Sequence, residues 1–169
     1  MTRSDVPSSP PRARASLSVS PGLDLMRLLL HVSHGIERVS MRMESSLGVT
    51  AQQRLVVRVV GRHPGITPGR LAAHLHLDPG TISALVRRLE RKGLVRRSRD
   101  PRDGRRVTLG LTPTGRELDH LQPGTVEAVL ERLSSEEDTA TVTAVRSFLT
   151  KVAEGLEQAA GADPTAPST

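Results

Sequence analysis

The sequence predicts a mainly α-helical protein carrying one small two-stranded β-hairpin. Three observations lead there. Apolar residues recur at steps of three and four along most of the chain. Thr-Pro and Asp-Pro pairs (Thr67-Pro68, Asp78-Pro79, Thr112-Pro113) stand where helices would start, since Thr and Asp cap a helix and Pro suits its first turn. Two apolar-alternating stretches, 94–97 and 107–111, flank a charged connection holding Pro101 and Gly104, which reads as a hairpin.

Taken in order, residues 1–21 are rich in Ser, Pro and Arg with no apolar period and read as a disordered basic tail. They hold no apolar segment suited to a signal peptide. Leu25, Leu29, Val32, Ile36, Val39, Met43 and Leu47 then line one face of a long first helix. Thr50-Ala-Gln-Gln53 is a capping-box pattern opening a second helix through Leu55, Val56, Val59 and Val60, which His63-Pro64-Gly65 stops. A short third helix follows Thr67 and carries Leu71, Ala72 and Leu75. The fourth follows Asp78, with Ile82, Leu85, Val86 and Leu89 on one face, and ends at Gly93. After the hairpin Thr112 opens a fifth helix that Pro123-Gly124 must kink or break. Ser134-Ser-Glu-Glu137 is expected to cap the last helix, with Val142, Val145, Leu149, Val152 and Leu156 in step. Residues 161–169 read as a second disordered tail.

Composition removes several function classes. The 169 residues contain no Cys, which excludes disulfides, thiolate metal sites and Cys nucleophiles. They contain no Trp or Tyr and one Phe, so base stacking on aromatic platforms is excluded as a binding mode. The longest apolar stretch, 23–32, is interrupted by Asp24, Arg27 and His31, so no membrane span is expected and the protein is expected in the cytoplasm. No Gly-rich phosphate loop follows a strand and no nucleophile elbow occurs, so no enzyme and no cofactor are expected.

The formal charge of +6 conceals a segregation. Residues 87–106 hold ten basic and three acidic side chains, whereas residues 107–169 hold four basic and ten acidic ones. A dense Arg cluster most often meets phosphates, although a solvated basic face has the same composition. Position decides between the two. Two short helices joined by the turn His76-Leu77-Asp78, the second followed at once by a basic hairpin, make a winged helix-turn-helix, whose expected partner is double-stranded DNA. Off the apolar face of the second helix lie Thr81, Ser83, Ala84, Arg87, Arg88 and Arg91. Small groups at its start allow close approach to base edges, while Arg87 and Arg88 reach guanines or flanking phosphates. The hydroxyls of Thr67 and Thr81 suit phosphate anchoring. In the hairpin Arg102 is expected to enter a minor groove with Asp100 holding its guanidinium, Arg105 and Arg106 to meet phosphates, and Arg99 to be a further DNA contact, while Asp100 and Arg105 could equally pair across the hairpin and shape it.

The run from Gly93 to Gly115 resembles the MarR family of bacterial transcription regulators. The wing pattern Asp-x-Arg-x-x-Arg stands at Asp100, Arg102 and Arg105, and Leu-Thr-x-x-Gly at Leu111, Thr112 and Gly115. Residues 71–75 and 81–93 are similar to the family's helix-turn-helix pair, and the likeness extends over about 23–158. The resemblance implies one winged-helix domain over 22–160, with a DNA-binding lobe at about 50–111 and dimerisation helices at about 22–48 and 112–159. It implies a homodimer, a palindromic operator, repression, and relief by a small ligand lodged between the dimer helices and the lobe. Many relatives have an aromatic after the Gln of the second helix, where this chain has Arg54. Arg54 and Arg58 are expected to receive the carboxylate of a small anionic effector, with His31 and His34 as further ligand candidates.

Two alternatives stay open at this point. A nonspecific architectural DNA-binding protein would share the charge pattern without discriminating sequences. A metal-responsive regulator would use helix histidines such as His31 and His34, three apart on one face, but no Cys assists and scattered helix histidines are usually surface residues.

Overall fold

A computed structural model describes residues 20–100 and 103–161. These fall into two compact units, one ending at Gly35 and the other beginning at Ile36. The element order is α1 (Pro21–Leu47), α2 (Ala51–Arg62), α3 (Pro68–Leu75), α4 (Pro79–Arg91), β1 (Val95–Arg99), β2 (Val107–Leu111), α5 (Pro113–Leu118), α6 (Val126–Glu136) and α7 (Thr139–Gly161). The first unit holds the N-terminal part of α1, where Leu23, Met26, Leu28, Leu30 and Val32 are exposed.

The second unit is built on an all-aliphatic core. Val56, Val57 and Val60 of α2 meet Leu71 of α3, Ile82, Val86 and Leu89 of α4, and Leu109 of β2, each no more than 1% exposed. Burying branched aliphatics supplies the drive that aromatics provide elsewhere, roughly 1.5–3 kcal/mol for each full side chain. The helix starts behave as their residue types require. Thr50, Thr67, Asp78, Thr112 and Thr125 each accept, through a side-chain oxygen, the backbone N–H three residues on.

β1 and β2 pair antiparallel, Val95 opposite Leu111 and Arg99 opposite Val107. The first strand begins and ends later than its apolar pattern suggests, since Ser98 and Arg99 continue the ladder with their side chains in solvent. The α2–α3 turn adds a backbone rung that no side-chain pattern announces: Gly65 N–H donates to the Leu109 carbonyl and Leu109 N–H to the Ile66 carbonyl, both at 2.9 Å.

Two expectations about the C-terminal helices are corrected. The fifth helix does not run on to Pro123. It ends at Leu118, and α6 restarts after Pro123 and Gly124 (φ +80°), so the break makes two helices. Ser134-Ser-Glu-Glu137 caps nothing. Ser134 and Ser135 lie inside α6, where the Ser135 hydroxyl donates back to the Arg132 carbonyl at 2.7 Å. The last helix starts on Asp138, whose Oδ1 accepts the Thr141 N–H at 2.9 Å and whose Oδ2 accepts the Thr141 hydroxyl at 2.6 Å. A carboxylate takes the two donors of Thr141 on two separate oxygens, where a serine offers one.

Candidate nucleic-acid interface

The α3–turn–α4 unit depends on one unusual residue. His76 adopts the left-handed conformation (φ 51°), and the Leu77 N–H reaches the Ala72 carbonyl at 3.1 Å, closing α3 before Asp78 opens α4. Ile82, Leu85, Val86 and Leu89 go into the core. That rotation places Thr81, Ser83 and Ala84 half-buried, and Arg87, Arg88 and Arg91 exposed, on the remaining face. Glu90 is withdrawn from this face by Arg97 of β1, whose Nε donates to it at 3.0 Å. Lys92, counted in the basic window, is also committed: its Nζ donates to Gln53 Oε1 at 3.1 Å and to the Gly48 carbonyl.

The two threonines differ in what they still offer. Thr67 Oγ1 accepts the Arg70 N–H at 3.3 Å, which leaves its hydroxyl proton to give. The Thr81 hydroxyl donates to Asp78 Oδ2 while its N–H donates to Oδ1 at 2.8 Å, so its proton is already used. These bonds hold the Asp78 carboxyl below its ordinary value of 3.8, the Thr81 hydroxyl being the larger cause. Asp138 is lowered in the same way by Thr141.

In the hairpin Asp103 shapes the turn. Its Oδ1 accepts the Arg105 N–H at 3.1 Å and its carbonyl the Arg106 N–H at 2.8 Å, while Asp100 N–H donates to the Arg106 carbonyl at 2.8 Å. Arg99, Arg105 and Arg106 are exposed along it. Arg102, the expected minor-groove residue, lies outside the described residues. The Leu-Thr-x-x-Gly pattern anchors the wing to the lobe. Thr112 N–H donates to the Leu94 carbonyl at 3.1 Å, its hydroxyl to the Gly93 carbonyl at 2.5 Å, and Gly115 N–H returns to Thr112 Oγ1 at 3.0 Å.

The expected ligand residues separate into different roles. Arg54 is 0% exposed. Its guanidinium donates to Glu127 of α6, to the His120 carbonyl and, at 2.7 Å, to the Leu118 carbonyl. No incoming carboxylate reaches it, so its expected role as an anion receptor is corrected: burial leaves it no donor facing solvent. Arg58 pairs with Asp119 at 2.9 Å and also lines a cavity of about 530 Å³ between α2 and α6, with apolar walls from Ile36, Leu55, Val59, Val126 and Leu130 and with Arg62, Glu127 and Glu131 beside it. His31 and His34 are exposed on α1 around a shallow hollow with Leu23 and Leu30. His63 and His74 meet edge to face with ring centres 5.4 Å apart. Among the described residues no group of three or more His, Asp or Glu is placed to hold a metal ion, and no helix is long and apolar enough to cross a membrane. Sequence reasoning missed Glu127 and Asp119, the partners of Arg54 and Arg58. They lie more than sixty residues away, and no local pattern links them.

Comparison with known proteins agrees with this geometry. A sequence profile described as MarR family matches residues 47–106. The HTH-type transcriptional regulator TtmR of Methylorubrum extorquens is 41% identical over 70 residues, 41% of this chain and 36% of the relative. The organic hydroperoxide resistance transcriptional regulator of Bacillus subtilis is 32% identical over 47% of this chain and 56% of its own length. The chain thus spans about a third to a half of these relatives. An HTH-type transcriptional repressor of Mycobacterium tuberculosis is 32% identical over 54% of this chain and 68% of its own length. Among solved structures, the Staphylococcus aureus MepR–DNA complex superposes with a TM-score of 0.63 at 25% identity, covering 82% of this chain and 99% of that one. An Escherichia coli MarR mutant bound to operator DNA gives 0.61 at 27% identity over 77% and 94%.

Proposed function

The chain belongs to the MarR family, and on that premise we propose that it is a dimeric, sequence-specific regulator of transcription that binds duplex DNA, acting as a repressor. The observation that carries this reading is the outer face of α4, where Arg87, Arg88 and Arg91 are exposed beside small side chains while the neighbouring carboxylate, Glu90, is turned to Arg97. In the proposed complex α4 lies in the major groove with Ser83 and Ala84 against base edges. Arg87 and Arg88 reach guanines or phosphates, Thr67 donates its hydroxyl to a phosphate, and the wing bearing Arg99, Asp100, Arg102, Arg105 and Arg106 follows the minor groove. Thr81 serves the cap of α4 before it serves DNA.

Two copies are required for a palindromic operator, and the exposed apolar side chains of α1, α6 and α7 are the surfaces proposed to join them. A small anionic effector is proposed for the cavity beside α2, its apolar body against Leu55, Val59 and Leu130 and its charge toward Arg58 and Arg62. The protein is proposed to work in the cytoplasm. The test is binding of the purified protein to its own upstream DNA and to scrambled duplex across a salt series. A site about 1,000-fold tighter than scrambled DNA, with a steep negative salt slope, is expected. Equal affinity for both would replace this reading with the architectural one, and absence of binding at low salt would remove DNA as the partner.

A further inference from the structure

The segment joining the winged lobe to the C-terminal helices, residues 119–125, is held by one face of α2. Arg54, Arg58 and Gly61 stand at successive helical turns on that face. Arg54 grips both ends of the segment, the Leu118 and His120 carbonyls on one side and the Glu127 carboxylate on the other. Arg58 takes Asp119 through its carboxylate, at 2.9 Å, and through its carbonyl. The Asp119 carboxylate lies so close over Gly61 that a Cβ there would stand 1.9 Å from it. Otherwise α6 is loosely tied: neither α6 nor α7 contains a buried residue, and among the described residues no other ion pair joins α6 to another element.

A fully buried guanidinium is a costly means of filling space. Desolvating the ion costs several kcal/mol, and an apolar side chain of similar volume often stabilises a fold as well or better. What the ion adds is direction, since its fixed fork accepts a narrow set of acceptor positions.

We infer that Arg54 and Arg58, with Glu127 and Asp119, are positioning residues that turn 119–125 into a fixed joint, setting how α6 stands to the winged lobe and so the separation of the two recognition helices in the dimer. Only the last clause rests on the proposed DNA-binding dimer; the joint itself is a property of one chain.

The absence of Cys allows a direct test. Ala73→Cys on α3 and Ser134→Cys on α6, both exposed, take spin labels selectively in the full chain. Labelled chain is diluted into unlabelled chain so that only intrachain distances are read. The comparison is with Arg54→Met/Glu127→Leu, which removes both charges together. The parent is expected to give one narrow distance distribution, and the double variant one at least about twofold broader at a nearly unchanged melting temperature, as replacement of a buried pair by apolar groups allows. Unchanged width would overturn the joint. Should the double variant not fold, Asp119→Ala removes the half-exposed second tie and is read in the same way. On DNA selected by the parent, inserting one base pair between half-sites is expected to weaken the parent by about tenfold or more and the double variant by less than about threefold. Equal losses would overturn the link to operator spacing. A parent with no preferred DNA would count against the proposed function and against that link, while the label distances would still decide the joint.

Discussion

Gly115 stands where the carbonyl of Leu94, the residue before β1, crosses the first turn of α5. A Cβ on residue 115 would lie 2.0 Å from that oxygen, and backbone cannot swing aside as a side-chain tip can. Gly115→Ala is expected to cost about 1–3 kcal/mol as an overpacking change, read as a lower midpoint in urea without loss of slope. The caps make a second prediction at this scale. The folded carboxyls of Asp78 and Asp138 sit below 3.8, so each contributes stability that is complete above that value and disappears as pH falls through the lower folded one. Asp78→Ala should therefore lower the melting temperature at pH 7. The gap to the parent should close when both are measured toward pH 2, and a gap constant with pH would show that the charge is not what caps α4. On DNA, Arg87→Ala is expected to weaken operator binding by roughly 1–3 kcal/mol and to relax preference at one base position if it reads a guanine. A uniform loss across sequences would mean that it meets phosphate.

Among elements, α2 decides the most. Its apolar residues enter the core, while Arg54 and Arg58 hold a segment more than sixty residues away. The two partners of the buried pair are unequal, Arg54 being 0% and Glu127 27% exposed at the side chain. Removing Glu127 leaves a cation with no route to water, whereas removing Arg54 leaves a carboxylate that water can reach. Glu127→Leu alone is thus expected to destabilise by about 3–5 kcal/mol, and Arg54→Met alone by clearly less. Thermal unfolding of the two single variants gives the order, and the reverse order would contradict it. The same element explains a failed reading: alone, Arg54 looks like an anion receptor, and only its placement shows that the anion is already there.

For the whole molecule, charge and apolar surface are sorted along the chain. The excess of basic side chains lies in α4 and the wing, and the acidic excess in the C-terminal helices. Large apolar side chains remain in solvent on α1, α6 and α7, among them Met26, Leu130, Phe148 and Leu156. On α6 and α7, exposed apolar side chains of this kind are the surface proposed above for a second copy. If a second copy covers it, the melting temperature should rise with protein concentration and the mass in solution should be twice that of one chain. A concentration-independent midpoint and a monomer mass would argue against the dimer.

The sequence by itself determined the starts of α2 to α5, which local chemistry punctuates. Thr50, Thr67, Asp78 and Thr112 began their helices because one side-chain oxygen three residues from an orphan N–H needs no distant help. The face of α4 was equally legible, since the apolar period that sends Ile82 and Leu89 inward leaves Arg87, Arg88 and Arg91 outside. Local pattern failed where two local options competed, as at Ser134 and Asp138, where the carboxylate won by holding two donors of Thr141. The tertiary structure alone decided the end of α5 at Leu118, the backbone rung between Ile66 and Leu109, and the fate of Arg54. Each depends on groups brought together across long stretches of chain. A hydrogen bond or ion pair of that kind is fixed by where the core places its two partners, and their neighbours in sequence carry no record of it.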